Sequence, residues 1–123
     1  MKKIADYVRA LKYPLTSTIV VAIVFVAISY VEGVLNMLTS TVLAPVALAI
    51  GVWAGYKIVE FKGNYANVII AGVIVGIVGA VMILVGFGVV RGLGIGAMLP
   101  VSVLDMGFKI AGALVGGGFA LTK

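Results

Sequence analysis

The sequence contains no cysteine and no histidine. Disulfides, thiolate nucleophiles, imidazole bases and the usual zinc and haem ligands are therefore excluded, and thiol usage gives no hint of compartment. Charge is also scarce: only 11% of the 123 residues are Asp, Glu, Lys or Arg, against 63% hydrophobic. A water-soluble chain is about a quarter charged, so this one has little surface suited to water. With four acids and no paired carboxylates in sequence, general acid–base or metal-assisted catalysis has no visible residue set. Neither an enzyme nor a cofactor or metal site is expected. Outside the apolar runs, the longest polar-rich piece is the first thirteen residues, too short for a separate extramembrane domain.

What is present is apolar sequence in long blocks. A helix needs roughly 20 mostly apolar residues to cross the hydrocarbon, and four stretches approach or exceed that, at about 15–31, 37–59, 65–90 and 97–121. Each is continuously apolar rather than alternating, which argues against barrel strands. The expected fold is an all-α, polytopic membrane protein, a four-helix transmembrane bundle over residues 15–123 preceded by a basic interfacial segment over 1–14.

The net charge of +5 does not point to nucleic acid, because the basic residues flank the apolar runs. Lys2, Lys3, Arg9, Lys12, Lys57, Lys62 and Lys123 fall on one side of the expected bundle and Arg91 alone on the other. Lys and Arg next to short loops are retained in the cytoplasm, so both termini are expected there, in a multi-pass protein of the cell membrane. Lys2 and Lys3, the following apolar run and Ala27-Ile28-Ser29 also resemble a signal peptide; a retained first span is the expectation. The abundance of Val, Ile, Gly and Ala with no Gln points to a prokaryotic source.

Within the first fourteen residues Ile4, Tyr7, Val8 and Leu11 recur at helical spacing, with Lys3, Asp6 and Lys12 towards the other side. Such a segment can lie in the headgroup plane, its cations towards anionic lipid, and Pro14 would end it. A basic tail that only sets orientation is the alternative.

Lipid tails are as apolar as Leu, so helices in a bilayer associate by close packing, for which small residues are needed. Ala47, Gly51 and Gly55 in the second span, Gly72, Gly76 and Ala80 in the third, and Gly112, Gly116 and Ala120 in the fourth each form a stripe of small residues about one turn apart. Packing within one chain is the commoner use of such stripes. Four helices offer little internal surface for three of them, so lateral association with other copies or other membrane subunits is also expected. Gly92, Gly94 and Gly96 read as a flexible connector, not a phosphate loop, for want of a preceding strand. Pro100 is expected in the opening turn of the fourth helix, and Pro45 near the start of the second, where it can kink it.

Asp105 and Lys109 are the two ionisable residues that fall well inside a span. A charge at the bilayer centre costs about 3 kcal/mol on insertion scales, so it needs a partner. Residues four apart share a helix face, and acid before base is the favourable order. The same face continues through Gly112 and Gly116, so the pair is expected to face protein or a wet cavity. Either the two charges neutralise one another and fix helix register, or they line a path for an ion, with Asp105 as a protonatable carrier. Thr16, Ser17, Thr18, Ser29 and Asn67 read as lying near span ends, while Thr39, Ser40, Thr41 and Ser102 could add polar groups at the outer side.

Length and span number are similar to those of small multidrug-resistance transporters and dimeric fluoride channels, but the first span lacks an embedded Glu and residues 71–90 carry no polar side chain. No family is identified. The leading functional expectation is a non-catalytic packing or assembly subunit of a homo-oligomer or larger membrane complex. The second is a small oligomeric channel or transporter using Asp105 and Lys109.

Overall fold

The computed structural model describes residues 4–122, apart from the side chains of Thr39 and Ser40. Lys2 and Lys3, expected at the membrane surface, and Lys123, expected on the same side of the bundle, lie outside the described residues. Among those described there is no strand. The chain folds as α1 (Ile4–Ala10), α2 (Lys12–Ile28), α3 (Val34–Met37), a π-helical segment Leu38–Val42, α4 (Leu43–Glu60), α5 (Tyr65–Ile83), a second π-helical segment Leu84–Val90, and α6 (Ile95–Thr122). Three helical stretches are long and apolar enough to cross a membrane, namely Leu43–Glu60, Tyr65–Val90 and Ile95–Thr122. α1 and α2 together would make a fourth, as a broken pair bent by 73°.

That bend falls at Leu11, three residues before the proline expected to cause it. Pro14 instead sits in the first turn of α2, where its missing N–H has no helical acceptor to lose. The bend lays α1 across one end of the bundle, with Tyr7, Ala10 and Leu11 buried in a core formed with Ile50, Ala54 and Ile58 of α4, Val68, Ala71 and Val75 of α5, and Ala113 of α6. Arg9 and Lys12 remain exposed at this end, with the Lys12 ammonium 5.7 Å from the Tyr13 ring centre. A side-chain bond holds α1 down: Asn67 Nδ2 donates to Tyr7 Oη at 2.7 Å. Asn67 also closes the start of α5, accepting from Asn64 N–H while Asn64 Oδ1 accepts from Asn67 N–H. The reciprocal cap satisfies two backbone donors that the helix itself cannot.

At the opposite end a second core joins Leu43, Ile83, Phe87 and Met98. Arg91, just past the second π-helical segment, ties it to the residues that follow α2, its Nε donating to Ser29 Oγ at 3.3 Å and its guanidinium lying 4.5 Å from the Tyr30 ring centre. Both helical irregularities occur at this end. The wider turn over Leu38–Val42 ends three residues before Pro45, which lacks the N–H to continue an ordinary ladder and whose ring crowds the carbonyl four residues back, at Thr41. The other runs through Gly86 and Gly88 before Gly92 and Gly94 turn the chain with positive φ. α6 begins two residues before its expected start, so Pro100 falls in its second turn and not the first, at the loss of one backbone bond.

α6 is the hub, packing most extensively on α4 and next on α5. α4 and α6 run parallel although α5 intervenes in sequence. A Cβ placed on Gly51 would strike the carbonyl of Lys109, on Gly55 that of Ala113, on Gly112 that of Leu48 and on Gly116 that of Val52. Glycine on both helices lets the two backbones meet, a geometry that favours dispersion and Cα–H contacts to carbonyl oxygens. The α5 stripe lies antiparallel on another side of α6, with Gly72 against Ile110 and Ala113, and Gly76 against Met106. Ala47 is buried, whereas Ala80 and Ala120 are only partly so.

Candidate functional site

Between the two apolar cores lies the buried ion pair of α6. At ~1.5 Å per residue Asp105 and Lys109 stand about 15 and 21 Å along a helix of about 42 Å, near its middle. Lys109 Nζ donates to Asp105 Oδ2 at 2.8 Å, and the two side chains are only 4% and 5% exposed. The helix brings them together because four residues make slightly more than one turn. Space for them comes from α5: a Cβ on Gly79 would collide with Lys109 Nζ and touch Asp105 Oδ2. Any side chain at position 79 would displace the pair.

Gly79 was not picked out by the four-residue stripe of small residues, which passes from Gly76 to Ala80. A helix repeats every 3.6 residues, so a long contact face advances by threes as well as fours. Following Gly72 and Gly76 with a step of three reaches Gly79, which is buried.

The pair does not seal against α5. It opens on a cavity of about 30 Å³ whose wall includes Thr18, Ala22 and Phe25 of α2, Leu43 and Ala47 of α4, Ile83 of α5 and Phe87 of the π-helical segment that follows it. Thr18 is 2% exposed, and its Oγ1 has no hydrogen-bond partner among the described residues. A span starting at residue 15, as the apolar run suggests, puts Thr18 near its end. With α2 beginning at Lys12, Thr18 stands about 9 Å along it, deep enough to share the level of the ion pair.

The other polar residues considered from sequence stand elsewhere. Ser102, 1% exposed, donates to its own helix at Leu99 O, and Ser29 donates to Val26 O at the far end of α2. Thr41 is exposed. No cluster of three or more acids that could hold a metal ion occurs among the described residues. The cavity wall therefore carries one carboxylate, one ammonium and one residue whose hydroxyl has no partner among the described residues, contributed by α6 and α2. No family model, curated protein or solved structure matches this chain.

Proposed function

We propose that the chain is a small, non-catalytic transport protein of the cell membrane, a four-span channel or carrier for an ion or small polar species, with Asp105 and Lys109 as its working site. One observation carries this reading. The charged pair lines a cavity whose wall also includes Thr18 of a different helix, a buried residue whose hydroxyl has no hydrogen-bond partner among the described residues, whereas a pair serving only to fix register has no need of one. Intramembrane ionisable residues that face a cavity commonly mark such pathways.

The glycines of α4, α5 and α6 close on one another within a single chain, so these stripes do not by themselves call for a partner subunit. The test is flux. Purified protein in liposomes should move at least one species from a panel of small ions and polar solutes. The double variant Asp105→Asn/Lys109→Met should be folded and silent. Wild-type flux no greater than that of the double variant, for every species, would sink the proposal.

In the proposed topology α1 lies in the headgroup plane, α2 forms the first span and both termini are cytoplasmic. Arg9, Lys12, Lys57 and Lys62 stand at one end of the bundle and Arg91 at the other, an asymmetry that retains the richer end inside. The absence of native cysteine makes this simple to check by single-cysteine labelling in intact cells. Ala97→Cys is expected to react with a membrane-impermeant thiol reagent and Thr122→Cys to be protected until the membrane is opened. Protection of residue 97 with labelling of 122 would invert the topology.

A further inference from the structure

The size and chemistry of the cavity restrict what it can hold. Thr16, Ser29, Ser102 and Thr122 each donate to a carbonyl one turn back in their own helix. Thr18 does not, although it is buried and lines the cavity. A buried hydroxyl with no partner is costly, and Thr18 borders the cavity, where a water could supply one. Lys109 spends one of its N–H donors on Asp105 Oδ2, and a carboxylate has several lone-pair sites. The cavity of about 30 Å³ corresponds to roughly one or two waters.

Larger or more demanding occupants do not fit this arrangement. Organic solutes use pockets of about 300 Å³ or more. Calcium and magnesium take about six or more oxygen ligands, and here one carboxylate, already bonded to an ammonium, and one hydroxyl are on offer. An anion would meet a Lys109 already neutralised at 2.8 Å. A neutral dipole suits a neutral ion pair, and a proton passes through water and a carboxyl without needing more room.

Resting on the transport reading above, we propose that this cavity is a proton site, with water held between the Thr18 hydroxyl and the Asp105–Lys109 pair, and that the species moved is H⁺. On uptake a hydronium in the cavity gives its proton to an Asp105 carboxylate oxygen; one O–H bond forms at the carboxyl, one breaks at the hydronium, and water remains. Lys109 keeps its protons, and release reverses the step. Among the described residues, the cavity walls from α2, α4, α5, α6 and the two π-helical segments present no titratable side chain to Asp105 except Lys109, from the same helix.

The experiment uses the full chain in liposomes with a trapped pH indicator and a potassium diffusion potential set by an ionophore. Wild type should acidify the lumen, and Asp105→Asn should not. Thr18→Val keeps the shape of the side chain and removes the hydroxyl; it should slow proton flux about tenfold, the scale of one lost hydrogen bond, with helicity and melting unchanged. Thr18→Ser should restore the rate. Infrared difference spectra on acidification should show a carboxylic C=O band that Asp105→Asn lacks. Movement of sodium, potassium, chloride or an organic solute without any pH change would overturn the proton assignment and leave the transport reading standing. No flux of any species would overturn both. A wild-type rate in Thr18→Val would remove the hydroxyl, and with it the water-bridged site.

Discussion

Asp105→Asn and Lys109→Met are each expected to destabilise the protein by about 3 kcal/mol, and the double variant to recover most of that loss. The pair is nearly inaccessible, with a single 2.8 Å contact joining the charges. Removing either partner strands the other near the middle of α6, against the apolar side chains of Val101, Ile83 and Phe87, where nothing else is oppositely charged. Removing both leaves groups that this interior accepts at little cost. Reversible unfolding of the three variants in mixed micelles gives the comparison. Additive losses in the double variant would show that the two residues do not stabilise one another. This measurement is independent of flux: it reads the pairing, which a structural and a transporting site share.

Gly116→Ala is expected to cost about 1–3 kcal/mol by forced separation of two helices, and Gly116→Leu to prevent assembly of the native bundle. The added methyl meets the Val52 carbonyl, which is backbone and cannot rotate away. Gly107→Ala supplies the control on the same helix, since nothing lies within 4 Å of a Cβ there. Alanine in a helix interior is favoured over glycine by roughly 1 kcal/mol, so this variant should be as stable as wild type or more so. Thermal unfolding of the two alanine variants should therefore move in opposite directions. Equal behaviour would mean that α4 and α6 are not in backbone contact.

Much of the helical framework was legible because each apolar run is unbroken. The stretch Tyr65–Val90 has the limits read from sequence, bounded by Asn64 and Arg91, which apolar surroundings would not tolerate. Boundaries set by proline were less legible. Pro14 and Pro100 both lie inside their helices, one in the first turn and one in the second, so neither marks the edge assigned to it. That shift of a few residues hid Thr18, whose depth depends on where α2 begins. The contribution of Gly79 was hidden by a counting rule of four where the helix sometimes advances by three. Which stripe meets which was not legible at all: glycine spacing is the same whether α4 packs on α5 or on α6, and only the three-dimensional arrangement pairs α4 with α6.

Because α4 and α6 touch but are separated in sequence by α5, the order of synthesis acquires a meaning. In the proposed topology a growing chain delivers α4 to the bilayer with Gly51 and Gly55 uncovered, and they stay uncovered until α5 has been made and α6 follows. The two charges arrive on that same last helix, after Gly79 and Thr18 are already available to receive them. Closure of the tightest contact and shelter of the most costly side chains are thus deferred to one insertion event. A ribosome arrested before residue 95 would leave an open glycine groove in the membrane, available to the small-residue faces of unrelated helices.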